Sequence, residues 1–186
     1  RRGPQPIAVQ GRATDLNLAE WVLSFGAGEV PASFVEIARG TAGGQGLTLG
    51  LWQVASVPDG PYTVRLTVLD KAGHQAEARE TVVLDGTPPE AVISLPAGEG
   101  YVTAETGIEG DARDANLASW KLESAPGPAA QAYQWTELAT GEYEVQAGLL
   151  ATWAPLPADG VHTLRLTVED QAGFTSLPLR TVTADT

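Results

Sequence analysis

Strict alternation of apolar and polar residues marks the clearest β-strands in the chain. In the stretch from Tyr62 to Val68, every second residue is apolar and the residues between them are Thr63, Arg65 and Thr67. The same pattern returns around Leu166, with polar residues at 163, 165 and 167. A two-residue period predicts a strand with one buried face. Both stretches are therefore predicted strands, with Leu66 and Leu166 in the core.

The segment around Trp21 fits two periods when it is taken alone. Residues 16–25 are compatible with an amphipathic helix, but Trp21, Leu23 and Phe25 also fit a two-residue period. A related stretch decides between them, because Trp120 and Leu122 there alternate with charged residues. Alternation of this kind indicates a strand. We predict strands in both places.

Two blocks of sequence occur twice, in the same order. Residues 11–21 and 110–120 share the pattern G-x-A-x-D-x-N-L-A-x-W, and residues 59–73 return as 159–173. Between the blocks, Phe34 aligns with Trp135 and Trp52 with Trp153. A period of about a hundred residues indicates two tandem copies of one structural unit.

The two copies meet at a pair of prolines, Pro88 and Pro89. Paired prolines cannot continue a strand ladder, so they predict a short, stiff linker that holds the copies in a roughly extended relation. The predicted domains are residues 1–85 and 86–186. Residues 91–95 resemble a first strand of copy two. Copy one has little room for an equivalent before Ile7, so its first strand is expected to be short or missing.

The composition excludes several classes of function. The net charge is −12, with 11 Lys and Arg against 23 Asp and Glu, which argues against nucleic-acid binding and against anionic membranes. No apolar run is long enough for a membrane helix. The absence of cysteine excludes disulfides and thiolate metal sites. Because methionine is also absent, we interpret the sequence as a fragment or a processed chain.

The repeats resemble the immunoglobulin-like, fibronectin-III-like repeats of large bacterial surface and secreted proteins. The resemblance implies an all-β fold of two tandem β-sandwich domains. It places Trp21 and Trp120 as core tryptophans on the third strand, and Tyr62 as the tyrosine corner of copy one. His162 departs from that corner in copy two. The lack of cysteine separates the chain from antibody domains but not from bacterial ones.

Acidic turns raise the question of calcium. In this type of sandwich, Asp15, Asn17 and Asp70 are expected at one pole of copy one. Their counterparts in copy two are Asp114, Asn116 and Asp170, to which the linker would add Asp85, so that Asp85, Asp114, Asn116 and Asp170 form a candidate interdomain calcium site. Calcium prefers six to eight oxygen ligands, which such residues supply. The alternative is that these residues only bond to their own turns.

Aromatic residues raise the alternative of carbohydrate binding. The five tryptophans and Phe34 fall in the repeat frame, where burial in the core is the expected role. Tyr101, Tyr133 and Tyr143 belong only to copy two and are candidate ligand-binding residues. The solvent exposure of the aromatic side chains distinguishes the two roles. Three coplanar exposed aromatic rings would favour a glycan-binding surface.

The sequence contains no catalytic motif, so we do not expect an enzyme. The expected function is a structural spacer or interaction module of a larger extracellular or cell-surface protein. The alternative is a carbohydrate- or protein-binding accessory module attached to a secreted enzyme or an adhesin. The expected partners are neighbouring domains of the same chain, and a glycan or another surface protein. No cofactor other than calcium is expected.

Overall fold

The computed structural model describes residues 5–186, and the chain divides into unit 1, Arg1–Gly86, and unit 2, Thr87–Thr186. Regular structure in the described part consists of strands, apart from one 3-10 turn at Ala129–Gln131. The predicted all-β class is confirmed. Residues 1–4, where part of a first strand of copy one would fall, lie outside the described residues.

Unit 1 contains two antiparallel sheets. Its described strands are β1 (Ile7–Ala13), β2 (Leu18–Ala27), β3 (Val35–Gly40), β4 (Gly44–Trp52), β5 (Gly60–Asp70) and β6 (Gln75–Leu84). The larger sheet has the order β3-β2-β5-β6, and β1 pairs with β4 in the smaller one. Trp21 lies in β2, so the strand prediction for this segment is confirmed over the helical alternative.

Unit 2 repeats this plan with three additional strands. Its strands are β7 (Glu90–Leu95), β8 (Tyr101–Val102), β9 (Thr106–Arg113), β10 (Leu117–Pro126), β11 (Thr136–Gly141), β12 (Val145–Trp153), β13 (Gly160–Asp170), β14 (Thr175–Ser176) and β15 (Leu179–Ala184). One sheet has the order β12-β9-β7, and the other has the order β11-β10-β13-β15-β8, with β14 beside β13. All pairings are antiparallel except that of β15 with β8.

The Asp-x-Ala-Gly turns end the strands that alternation predicts. Gly73 and Gly173 have φ of 90° and 81°, a backbone conformation that favours glycine. Each glycine amide donates to the carbonyl of the aspartate three residues earlier, Asp70 or Asp170. These turns fix the two aspartates at the ends of β5 and β13.

The two cores differ in extent. Among the described residues, unit 2 has one cluster of 14 buried apolar residues, whereas unit 1 has two clusters of four each. Leu166 is fully buried in unit 2, but Leu66 at the matching position of unit 1 is only partly buried. The difference follows the strands, because β7 and β8 contribute Ile93 and Val102 to the larger core.

Candidate functional site

The acidic turn of unit 1 is internally satisfied. Asp70 Oδ1 accepts hydrogen bonds from the backbone amides of Ala72 and His74, both at 2.8 Å. Its Oδ2 lies 2.8 Å from His74 Nδ1. The hydrogen bond to His74 lowers the pKa of Asp70, and the same bond raises the pKa of His74. The imidazole, although exposed, therefore gives Asp70 Oδ2 a hydrogen-bond partner and, when protonated, a positive charge beside it.

The acidic turn of unit 2 has the same backbone and a different partner. Asp170 Oδ1 accepts from the backbone amide of Phe174 at 2.8 Å, as Asp70 does from His74. Phe174 has no imidazole to offer. Asp170 is only 2% exposed, and its Oδ2 is buried without a hydrogen-bond partner among the described residues. A buried carboxylate oxygen in this state is costly unless it is compensated.

Asp114 brings a second carboxylate to this turn. Carboxylate oxygens of Asp114 and Asp170 lie within 4.8 Å of each other. The loops are joined by the amide of Gln171, which donates to the carbonyl of Asn116 at 2.8 Å. Asp114 Oδ1 also accepts from the amide of Asn116 at 2.7 Å. Like-charged oxygens this close favour a cation between them.

The Asx-turn alternative is visible in both units. Asn17 donates to Asp15 Oδ1 at 2.7 Å, as Asn116 does to Asp114. These bonds show that Asp15 and Asp114 cap their own turns. The remaining predicted ligand, Asp85, follows β6 and is buried. Its part in a calcium site stays a prediction.

The three candidate tyrosines are strongly exposed and lie apart. Tyr101, Tyr133 and Tyr143 are 73%, 77% and 85% exposed. Tyr133 precedes β11 and Tyr143 follows it, so the length of this strand separates them. Tyr101 lies on β8, at the opposite edge of the sheet from β11. The fold does not gather these rings into one stacking surface.

Four of the five tryptophans are buried, namely Trp21, Trp52, Trp120 and Trp153. The Trp21 and Trp120 indoles donate to the carbonyls of Ala42 and Tyr143, at 3.0 and 2.9 Å. Trp135 is only partly buried, and the Arg165 guanidinium lies 3.9 Å from its ring centre. The Arg65 guanidinium lies 3.7 Å from the ring centre of Phe34. Each of these two aligned aromatic residues therefore makes a cation–π contact with an arginine.

The corner before β5 and the matching corner before β13 are closed by different residues that make the same kind of hydrogen bond. Tyr62 donates its hydroxyl to the carbonyl of Pro58 at 3.0 Å. In unit 2, His162 Nε2 lies 2.8 Å from the carbonyl of Ala158, four residues upstream as in unit 1. Each ring also lies against a buried tryptophan, Trp52 or Trp153. The histidine thus replaces the tyrosine without loss of the corner.

One buried charge cluster was not expected from the sequence. Glu123 is buried on β10, with Lys121 Nζ at 3.0 Å and Arg165 at 2.7 Å. Burial alone would raise the pKa of Glu123, but the hydrogen bonds from Lys121 and Arg165 hold it below its ordinary value. In unit 1 the matching residue is Ser24, whose hydroxyl lies 3.3 Å from Arg65. Glu123 lies in the polar register of its strand, so the alternation around Trp120 and Leu122 does not predict its burial.

The strand order now decides the fold. Unit 2 packs the sheet β12-β9-β7 against the sheet that holds β11, β10, β13 and β15. The described residues of unit 1 repeat this order without a counterpart of β7. Both units are fibronectin-III-like, immunoglobulin-like sandwiches. No family model and no curated protein matches the chain.

Solved structures with similar folds come from larger proteins. One is the crystal structure of a tetra-tandem repeat in the extending region of a large adhesion protein, with 17% identity and a TM-score of 0.42 over 92% of this chain. This chain spans 42% of that structure. Another shows fibronectin(III)-like modules of CbhA from Clostridium thermocellum, with 12% identity and a TM-score of 0.44 over 99% of this chain and 80% of that one. Similarities at this level assign no function to the chain.

Among the described residues 5–186, no helix has the length and apolar character that crossing a membrane would require.

Proposed function

We propose that the chain is a non-catalytic module of a larger extracellular or cell-surface protein, in which it sets distance or presents loops to a partner. The observation that supports this most is the use of the repeated polar residues. Tyr62 and His162 close corners, and Asp70 and Asp170 close hairpins. The fold accounts for these recurring polar contacts, and the exception is the second carboxylate oxygen of Asp170. Fold alone supports many roles, so the proposal rests on these contacts.

The competing role, carbohydrate binding, is tested with the tyrosines. The chain is applied to a glycan array beside a variant in which Tyr101, Tyr133 and Tyr143 are all replaced by alanine. These side chains are exposed, so the variant is expected to fold. A spacer gives no saturable glycan signal with either protein. A signal that the variant loses would replace the spacer with a binding module.

A second candidate function, calcium binding, is favoured by the buried oxygen of Asp170. We infer that the Asp114, Asn116 and Asp170 turn of unit 2 takes a calcium ion, where unit 1 uses His74. Support comes from the unpartnered Oδ2 and from the nearby carboxylate oxygen of Asp114. Extracellular modules bind calcium with dissociation constants of about 0.1–1 mM. The ion would stiffen the turn at the end of β13.

The calcium experiment exploits the natural difference between the units. The chelated chain is titrated with calcium by calorimetry, and its melting is followed at each concentration. Phe174→His installs the imidazole of unit 1 and is expected to abolish the response, as is Asp170→Asn. Asp85→Asn tests the fourth predicted ligand, and Glu137→Gln, on the exposed side of β11, is the matched control. If the parent chain shows neither a heat of calcium binding nor a shift in melting temperature, the calcium proposal is wrong.

A further inference from the structure

A groove runs along unit 1 between β1 and β6. One section has a volume of about 320 Å³ and is lined by Ile7 and Val9 on one side and Val82 on the other, with Val64 on its floor. The next section, of about 300 Å³, lies between Arg12 and Ala78 over Leu66 and Val68. Successive residues of the same strands line both sections, so they follow one another along the sandwich.

The floor and one wall of the groove are faces that a sandwich normally buries. Alternate residues of β6 are paired across from the inward residues of β5: Val82 with Tyr62, Glu80 with Val64, Ala78 with Leu66, and Ala76 with Val68. They therefore share the core side of the sheet. Yet Ala76, Ala78 and Glu80 are exposed, and the β5 residues from Val64 onward are only partly buried. The described residues of unit 1 leave this side open.

Unit 2 shows what covers the same place. Its β7 pairs antiparallel with β9, the counterpart of β1, and its β8 pairs parallel with β15, the counterpart of β6. Ile93 and Val102 from this segment join the core. The residues beneath them are fully buried: Leu164, Leu166, Val168 and Val182.

Two contacts show how closely the segment is held in unit 2. A Cβ added to Gly110 would lie 1.9 Å from the carbonyl oxygen of Val92, so this position of β9 must be glycine for β7 to approach. Gly11 holds the matching position of β1 in unit 1. On the other strand, the Arg180 guanidinium donates to the carbonyl of Ile93. Its counterpart in unit 1 is Glu80.

We propose that the groove of unit 1 binds an extended segment of the first-strand type that unit 2 carries at residues 90–102. The segment would pair antiparallel with β1 and place two aliphatic side chains over Leu66 and Val64. Backbone hydrogen bonds from an exposed edge give affinity, and the apolar pockets give selectivity. The binding surface adjoins the acidic turn of unit 1, because Asp15, Asp70 and His74 also line the second section, and it does not depend on the proposed spacer role. Unlike Arg180 in unit 2, Glu80 cannot donate a hydrogen bond to a backbone carbonyl of the segment.

The test uses the full chain and a synthetic peptide of residues 88–104. Binding is followed by NMR, with hydrogen exchange of the β1 and β6 amides. The control peptide carries Ile93→Asp and Val102→Asp. We expect saturable binding that protects alternate amides of both strands and that is at least about tenfold weaker for the control, because each buried aliphatic side chain contributes more than a factor of ten.

Two variants of the chain sharpen the result. Glu80→Arg introduces at the matching position of unit 1 the arginine that contacts β7 in unit 2. It is expected to tighten binding of the parent peptide severalfold. Ala78→Glu places a charge on the wall of the second section and is expected to weaken it. Both residues are exposed, so neither variant should unfold, and Thr81→Arg on the opposite face of β6 is the control.

Three outcomes would overturn the proposal. One is the absence of binding at millimolar peptide, and another is protection confined to unit 2. The third is self-association of the chain with β1 and β6 already protected, which would identify a second copy as the occupant. Binding that responds to Glu80→Arg and not to Thr81→Arg supports it.

Discussion

Unit 1 and unit 2 share one strand plan. They differ in how the core is covered and in which residue contacts the aspartate of the acidic turn. Among the described residues 5–186, unit 2 has β7 and β8 over its core and a single cluster of buried residues, whereas unit 1 has two smaller clusters and a groove between β1 and β6. The acidic turns differ in the opposite sense, because Asp70 has His74 and Asp170 has no such partner. The comparison shows that the same strand plan leaves different groups exposed in its two copies, as far as residues 5–186 describe them.

The core leucines give the largest expected contrast. Leu166→Ala should lower the free energy of unfolding of unit 2 by about 3–4 kcal/mol, because it leaves a cavity in a closed core. Leu66→Ala should cost unit 1 only about 1–2 kcal/mol, because the leucine is already partly exposed. Urea unfolding followed by residue-resolved NMR separates the units. Equal losses would mean that the two cores are equally closed.

The stacked arginines give the next contrast. Arg165→Met should destabilise unit 2 by about 2 kcal/mol, because it leaves Glu123 buried with only Lys121 as a partner. Arg65→Met is the matched variant, and it should cost at most about 1 kcal/mol, because Ser24 carries no charge and the ion pair of Arg65 with Glu77 is long and partly exposed. The same unfolding measurement applies. A larger loss in unit 1 would show that stacking on Phe34 and Trp135 outweighs the ion pair.

The corners should respond alike in the two units. Tyr62→Phe removes the hydroxyl that donates to Pro58 and should cost unit 1 about 1 kcal/mol. His162→Phe removes the corresponding bond to Ala158 and should cost unit 2 a similar amount. If only Tyr62→Phe has an effect, the histidine is not an equivalent corner residue.

The smallest expected effect is the pH dependence that the pair of Asp70 and His74 gives to unit 1. The raised pKa of His74 stabilises the fold fully below its ordinary value of 6.5, and this stabilisation is lost as pH rises through the folded value. The lowered pKa of Asp70 stabilises above its ordinary value of 3.8 and loses its effect as pH falls through the folded value. The pair therefore stabilises most between these values. The melting temperature of unit 1 should decline towards pH 8, and His74→Phe should remove this decline.

Much of the fold follows from local sequence. The alternation in β5 and β13 and the repeat frame around Trp21 predict the strands, because one face of each strand must be buried. The turns at Gly73 and Gly173 follow from the residues that tolerate positive φ. The alternation and the turns depend on residues close together in the chain, and the repeat frame depends on comparing the two copies, so a single sequence reveals all three.

The features that set the two units apart depend on distant residues. The exchange of His74 for Phe174 is plain in the sequence, but its effect on Asp170 appears only when the buried oxygen is located. The groove is visible only when β6 is placed opposite β1. Glu123 is satisfied by Arg165, which lies on another strand. The separation of the tyrosines likewise follows from sheet order rather than from spacing.

The most direct test of a closed unit 2 and an open unit 1 is native-state hydrogen exchange on the intact chain, measured amide by amide. We expect β9 and β13 to exchange only through the global unfolding of unit 2, because β9 is paired on both sides by β12 and β7, and β13 by β10 and β15. The outer amides of β1 and those of β6 should exchange through much smaller openings. Protection of β1 equal to that of β9 would contradict the account.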